Sequence, residues 1–481
     1  MASFGEDYAP SPAGREQSQM KRVRNLADTI AAIATGGAVS AIGIVRLSGE
    51  NAIEIADKIF RSAGGTKLSD AENRRMRYGR LIGADGRLID LCMCTVSRGP
   101  NSYTGEDTAE FHCHGSPVVL AQALLSIFAH GARQALPGEF TKRAFLNGRM
   151  DLAQAEAVID LIEAETPAAA QNAAGQLYGA ISAKLEDIYS ALLDIMAHFH
   201  AVIDYPDEDI DEFSAQSYLS ALKGAEAVLS RLLSTHSRGR VLREGLPTAI
   251  VGRPNTGKSS LLNALLGYER AIVTEIPGTT RDTIEEKITV GGVLLRLIDT
   301  AGLREAAEAV EKLGVMRTLE AVSRAGLALL VLDGSEPLRE EDSDALRSIP
   351  GDVPIIAAVN KSDLPHVLAD DELAKLGVDF CRVCALTGDG FGALEEKIKR
   401  AFPLQPQSAP GEIITNARQA EAISRAREGV MRAIEAAEAS FTPDAVLADV
   451  EAALAAIGEI TGKTMREDII SRIFERFCVG K

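Results

Sequence analysis

Residues Gly252 to Ser259 read GRPNTGKS and fit the phosphate-loop pattern G-x-x-x-x-G-K-[ST]. The apolar run Ala249–Val251 enters this loop, and the helical pattern Leu261, Leu262, Leu265 and Leu266 follows it. In a strand–loop–helix setting, glycines let backbone N–H groups turn toward phosphate oxygens, and the helix N-terminus adds partial positive charge. Asn255, Thr256, Gly257, Lys258, Ser259 and Ser260 are therefore expected to surround a nucleoside triphosphate. Lys258 supplies a full charge to the β- and γ-phosphates, and the Ser259 hydroxyl suits Mg²⁺.

Three further motifs follow in the order a guanine-nucleotide pocket requires. Asn360–Lys361–Ser362–Asp363 closes an apolar strand pattern. The Asp363 carboxylate can accept two parallel hydrogen bonds from guanine N1–H and its exocyclic amine, a donor pair that adenine lacks. Asn360 and the Lys361 stem would brace the loop and cover the base. Cys384–Ala385–Leu386 follows the last strand, where the Ala385 N–H is expected to meet the guanine oxygen. Asp299–Thr300–Ala301–Gly302 ends another strand pattern; Asp299 would reach Mg²⁺ through water, and the Gly302 N–H would sense the γ-phosphate. Thr279 and Thr280 lie between, with Thr280 as a second hydroxyl for Mg²⁺. Many GTPases place Gln after D-x-x-G to orient the attacking water. Leu303 stands there and cannot do so, which leaves Arg304, Glu305, Glu308 and Glu311 as candidates and Arg281, a partner or a monovalent cation as the source of positive charge.

The elements that must hold these motifs are legible as patterns. Residues 246–404 alternate strand and helix, as a parallel sheet with crossover helices does, with strands expected at Thr248–Val251, Ile284–Val290, Val293–Ile298, Leu327–Leu332, Ile355–Val359 and Cys381–Ala385. Gly291–Gly292 reads as a hairpin turn. Upstream, residues 150–242 are rich in Ala, Leu, Glu and Gln; Leu152, Val158, Ile159, Ile162 and then Leu185, Ile188, Leu192, Ile195 and Phe199 fit buried helix faces. Residues 412–477 return to that helical pattern, so the nucleotide-binding segment reads as an insertion into one helical domain. Residues 26–146 read as mixed α/β, with strands at Thr29–Thr35, Ile42–Leu47, Cys92–Val96 and Ala109–Cys113 and helices at Asn51–Phe60 and Val118–His130.

The expected division is a disordered tail at 1–25, an N-terminal α/β domain at 26–146, helical segments at 147–243 and 405–481, and a nucleotide domain at 244–404. A chain of 481 residues is too long for one core. The net charge of −17 argues against a non-specific nucleic-acid binder without excluding a local basic patch. No apolar run reaches the length of a membrane span, no secretory leader is visible, and six cysteines make no disulfide framework, so a reducing cytoplasm is expected.

Longer strings carry a resemblance that covers residues 25–481. SYTGEDTAEFHCHGSP at 102–117, PGEFTKRAFLNGRMDLAQAEAVIDLI at 137–162, PGTTRDT at 277–283, DTAGLRE at 299–305 and FCVGK at 477–481 resemble the MnmE (TrmE) family of tRNA-modification GTPases. The resemblance implies an α/β multidomain fold: an N-terminal folate-binding and dimerising domain, a discontinuous helical domain and an inserted Ras-like G domain. It implies a K⁺-stimulated GTPase, active as a homodimer. With the FAD-dependent protein MnmG, in a heterotetramer, it adds a folate-derived aminomethyl-type group to C5 of the wobble uridine of certain tRNAs. The one-carbon source would be a 5-formyl- or methylene-tetrahydrofolate.

Carried over by position, Asn255, the carbonyls of Thr274 and Ile276, and Thr279 would bind K⁺, and Glu311 would orient the attacking water. Arg46, Glu110, Arg149 and Lys481 would bind folate, and Cys478 is linked to the modification step. Thr35–Ala41 departs from the family's Pro-Pro-Gly-Arg-Gly-type loop, which puts the local loop shape in question. Three other readings compete: zinc at Cys92, Cys94, His112, Cys113 and His114, disfavoured by spacing; a regulatory or ribosome-assembly GTPase without modification chemistry; and an adenine-nucleotide kinase, disfavoured by Asp363.

Overall fold

The computed structural model describes residues 28–204, 215–268, 286–298, 322–403, 409–439 and 442–480. The chain divides into two compact units, one reaching from the N-terminal side to Ala155 and including the stretch from Thr461 onward, the other Glu156–Ile460.

The first unit is built on a seven-stranded sheet. Its strands are β1 (Ile30–Ile33), β2 (Ser40–Ser48), β3 (Phe60–Ser62), β4 (Arg77–Ile82), β5 (Leu88–Ser97), β6 (Thr108–Gly115) and β7 (Arg133–Gln134), ordered β3-β4-β5-β6-β2-β1-β7. All neighbours are antiparallel except β1 and β7. Period-two alternation assigns the faces. On β6, Ala109, Phe111 and Cys113 are buried against the helices Ala52–Ile59 and Pro117–Ala129, while Glu110, His112 and His114 lie on the other face. The short strands β3, β4 and β7 and the helix Glu139–Leu146 were not anticipated; β3 and β7 are too brief to show a period.

The Thr35–Ala41 departure lies in the β1–β2 connection and the start of β2. Gly36 and Gly37 are exposed there, and Thr35 Oγ1 accepts from the Ile44 N–H.

The second unit carries a six-stranded sheet of β8 (Leu246–Val251), β9 (Glu286–Val290), β10 (Val293–Leu297), β11 (Leu327–Asp333), β12 (Ile355–Asn360) and β13 (Asp379–Arg382), in the order β13-β12-β11-β8-β10-β9. It is parallel apart from the β9–β10 hairpin, whose turn residues Gly291 and Gly292 both have positive φ. β11 is buried along its whole length, as expected for a strand covered on both faces. The expected strand Cys381–Ala385 is displaced: β13 ends at Arg382, and Val383–Ala385 form the loop beyond it. That shift frees Cys384 and Ala385 to face the other strand ends.

Helices Leu152–Ile162, Pro167–Leu177, Ala180–Asp204, Ala215–Ser234, His236–Glu244, Ala417–Glu438 and Pro443–Thr461 come from both sides of this sheet in sequence. Leu185, Ile188, Leu192, Ile195 and Phe199 are buried as the spacing implied, but Ile162, at a helix end, is 46% exposed. The strap Gly411–Thr415 is held by buried amides: Asn172 Oδ1 accepts from the N–H groups of Gly411 and Ile413, and Gln176 Nε2 donates to Ile413 O at 2.6 Å. Arg427 pairs with Glu226 at 2.9 Å between Ala417–Glu438 and Ala215–Ser234.

Arg143 is the largest fully buried side chain of the first unit. It pairs with Asp28 at 2.7 Å, Glu139 at 3.0 Å and Glu106 at 3.1 Å, and Arg133 joins through Asp28 and Glu139. Burial pushes the Asp28 and Glu139 carboxyls up, but hydrogen bonds and charge from Arg133 and Arg143 outweigh it and hold both below the ordinary range. Carboxyls so depressed contribute stability above their unfolded pKa, and that contribution is lost as pH falls below about 4. Acid titration followed by far-UV circular dichroism should show this loss. Arg143→Ala, which strands buried carboxylates, should destabilise the chain by about 3–5 kcal/mol in denaturant unfolding at neutral pH.

Candidate functional site

The C-terminal ends of β8, β11 and β12 converge on one set of loops, the place where open parallel sheets bind ligands. The loop after β8 has positive φ at Gly252, Asn255 and Gly257, which turns successive N–H groups inward as an anion-binding nest. The helix Lys258–Tyr268 begins at its end. Lys258 Nζ donates to the carbonyls of Gly252 and Arg253, each at 2.8 Å, and arches over the loop. Burial, with the Arg253 charge adding to it, lowers its pKa. Those carbonyls are weak partners for a half-buried ammonium, so a phosphate would draw it away. The Thr256 hydroxyl donates to Arg253 O at 3.1 Å, which braces the turn of the loop. Asn255 and Ser260 are exposed at the rim, and Ser259 is half-buried.

Asn360, at the end of β12 and 2% exposed, ties three loops together. Its Nδ2 donates to Thr256 O at 3.0 Å, and its Oδ1 accepts from the Ala385 N–H at 3.0 Å. The fit is tight: a Cβ on Gly257 would collide with the Asn360 amide. The Ala385 N–H, expected to meet the guanine oxygen, donates here to Asn360 Oδ1 from the loop just past the end of β13. Asp363 is exposed at the loop mouth, and one of its oxygens accepts from the Cys384 thiol at 3.2 Å. Cys384 is buried, so it steadies the carboxylate in a fixed direction. Lys361 has φ +64° and pairs through Nζ with Asp333 at 2.6 Å.

Thr274, Ile276, Thr279, Thr280, Arg281, Asp299, Thr300, Ala301, Gly302, Leu303, Glu311 and Lys481 lie outside the described residues.

The first unit holds a second constellation. Arg46 on β2 and Glu110 on β6 are register partners and pair at 2.6 Å. The Arg46 guanidinium lies over the rings of Tyr103 and Phe140, at 5.6 and 5.7 Å from their centroids. Tyr103 hydroxyl and Thr141 hydroxyl are 2.9 Å apart, and His112 Nε2 is 3.6 Å from Glu110. Arg149 is exposed, with its stem against Gly105 in the loop that carries Tyr103. Cys478 is exposed, and its carbonyl accepts from Gly138 N at 3.2 Å, immediately before the Phe140 helix. A planar ring with a donor edge could stack on Tyr103 and meet Glu110, with Arg46 and Arg149 for acidic groups.

Sequence reasoning missed Tyr103 and Phe140 here, and Asp333 beside the phosphate loop. Only the tertiary fold brings them in, although Asp333 gave a faint signal as a charge ending an otherwise apolar strand. The zinc reading fails on geometry: Cys92, Cys94 and Cys113 are buried on one face of the sheet, whereas His112 and His114 lie on the other. Among the described residues no cluster of His, Cys, Asp and Glu has metal-binding geometry.

Two family models match the chain, the TrmE N-terminus of GTP-binding proteins over residues 29–149 and the MnmE helical domain over 152–478. The chain is 43% identical to the tRNA modification GTPase MnmE of Thermoanaerobacter pseudethanolicus, over 94% of this chain and 99% of that one. The same values hold for the MnmE proteins of Geobacillus kaustophilus and Symbiobacterium thermophilum.

If the Cys384 thiol aims Asp363, Cys384→Ala should weaken GDP binding by on the order of tenfold, and Cys384→Ser should restore it. Calorimetric titration of the purified variants with Mg·GDP measures this; unchanged affinity in the alanine variant would contradict it.

Proposed function

The chain belongs to the MnmE family of tRNA modification GTPases, and from that premise we propose that it hydrolyses GTP as one part of modifying the wobble uridine of tRNA. The observation that carries the reading is the Asn360 linkage, which ties the phosphate nest to the Cys384–Ala385 loop, whose thiol in turn bonds Asp363. Asp363 would accept from guanine N1–H and N2, with Lys361 over the base. The nest N–H groups and Lys258 would hold the β- and γ-phosphates and stabilise the charge that develops as the terminal phosphate departs.

Mg²⁺, held by Ser259, Thr280 and, through water, Asp299, would neutralise charge on the β/γ oxygens. K⁺, held by Asn255, Thr279 and the carbonyls of Thr274 and Ile276, would add the positive charge an arginine finger supplies elsewhere, with Arg281 as an alternative source. Asn255 suits that task chemically, since its exposed side chain offers a neutral amide oxygen at the loop rim. Glu311 would orient the attacking water in place of the missing glutamine.

The second constellation fits a folate. A pterin's guanine-like edge matches Glu110, its ring matches the Tyr103 and Arg46 stack, and a glutamyl tail matches Arg149 and Lys481. Bound there, a tetrahydrofolate derivative would supply a one-carbon unit, with Cys478 at hand on the chain beside Gly138. We further propose that the protein works as a homodimer with an MnmG-type FAD-dependent partner, and that this partner offsets the acidity of a chain with net charge −17 by carrying much of the tRNA contact. No helix among the described residues is long and apolar enough to cross a membrane.

GTP turnover of the pure protein in KCl against NaCl, at matched ionic strength, tests the cation assignment: strong stimulation by K⁺ is expected, and equal rates would remove K⁺ from the reading. Glu311→Ala should lower kcat by about 10²-fold or more with little change in KM; full turnover in that variant would remove Glu311 from water positioning.

A further inference from the structure

Three carboxylates in the stretch from Asp333 to Asp342 bond residues of the phosphate loop and the base loop, and this stretch carries none of the nucleotide motifs. Asp333 ends β11 and is 4% exposed. Its Oδ2 accepts from Lys361 Nζ at 2.6 Å, and its Oδ1 accepts from the Ser335 N–H at 3.0 Å and hydroxyl at 2.6 Å. Burial pushes the Asp333 carboxyl up, but Lys361 and Ser335 outweigh it and hold it ionised. Gly334 N donates to Asn360 O at 2.9 Å, so the same stretch is also bound to the base loop by backbone.

Farther on, Glu336 and Asp342 close on Arg253, the second residue of the phosphate loop. Arg253 is 7% exposed; Nη2 donates to Glu336 at 2.7 Å, and Nε lies 3.2 Å from the Asp342 carboxylate. Asp342 Oδ2 also takes the Arg339 N–H at 3.0 Å, which fixes it at the start of the helix Glu340–Arg347. The phosphate loop and the base loop are thus each anchored by an acid from one continuous piece of chain.

We propose that Asp333–Asp342 is the positioning element of the guanine-nucleotide pocket: Asp333 sets the place of Lys361, and Asp342 with Glu336 sets Arg253 and the phosphate loop behind it. A lysine in left-handed backbone has a long stem with many rotamers, and a fixed partner removes most of that freedom before the base arrives. The phosphate loop is similarly held from outside by a buried guanidinium with two carboxylates. These acids touch no ligand themselves. They act through Lys361 and Arg253, so their loss should appear in nucleotide affinity and not in the chemical step.

The inference rests on the guanine-nucleotide reading, and the test separates the two. The full-length protein, Asp333→Asn, Asp342→Asn and the double variant are titrated with Mg·GDP and assayed for GTP turnover. If the parent protein binds no GDP, the functional reading itself fails. Otherwise Asp333→Asn and Asp342→Asn should each raise the GDP Kd and the GTP KM about tenfold, with kcat at saturation kept within twofold.

Because both acids lie on one segment, the double variant should lose less than the product of the single losses. Asp333→Asn made in a Lys361→Met background should have no further effect, which a merely structural role would not produce. Ser335→Ala, which removes only the hydroxyl steadying Asp333, should move the Kd in the same direction by a smaller factor, and it serves if the aspartate variants fold poorly. Unchanged Kd in Asp333→Asn and Ser335→Ala, or an undiminished loss in the Lys361→Met background, would overturn the proposal.

Discussion

A single side-chain amide carries the nucleotide pocket. Asn360 is almost fully buried, donates to the phosphate loop and accepts from the loop after β13. A buried amide left without partners costs about 1–3 kcal/mol, so the two loops and the end of β12 hold their places together or not at all. Gly257 follows from this constraint, since any side chain there would occupy the space of the Asn360 amide. The early end of β13 follows as well, because the Ala385 N–H must leave the ladder to reach Asn360. Asp363, the carboxylate proposed to read guanine, takes its direction from a thiol that hydrogen-bonds to it.

The first unit is organised around a charged constraint of a different kind. The buried Arg143 guanidinium binds the helix Glu139–Leu146 to Glu106 and to Asp28. That helix carries Phe140, and the loop that carries Glu106 also carries Tyr103. Phe140 and Tyr103 are the two rings against which Arg46 lies. This ion network thus places the two aromatic walls of the proposed folate site. The C-terminal residues join the same unit through Gly138 and the Pro137–Val479 bridge. An exposed cysteine, Cys478, is in this way held beside Gly138, two residues before Phe140.

Much of this was legible in the sequence, for identifiable reasons. The phosphate loop, β8 and the helix after it follow from glycine spacing and apolar periodicity, which are local properties. The buried helix faces from Leu185 to Phe199 were read correctly because a long helix repeats its pattern several times. Ile162 was misread because a helix end no longer has a neighbour to cover it. β3 and β7 are shorter than the period needed to see them, and they exist because a sheet edge was available to pair with. Cys384 and Ala385 were placed in a strand by composition, whereas hydrogen bonding to Asn360 and Asp363 decides their conformation. Asp333 and Tyr103 act through partners distant in sequence, Lys361 for the one and Thr141 and Arg46 for the other, and no local pattern announces such pairs.

The central claim is that this pocket reads guanine through Asp363, and nucleotide selectivity tests it most directly. Calorimetric titration of the parent protein and Asp363→Asn with GDP, xanthosine diphosphate and ADP is the measurement. An asparagine presents a donor toward the xanthine C2 oxygen where the carboxylate accepted from the guanine amine. The account predicts that the parent binds GDP far more tightly than the other two and that Asp363→Asn loses GDP while gaining xanthosine diphosphate. Comparable binding of ADP and GDP by the parent, or an unaltered preference in the variant, would contradict it.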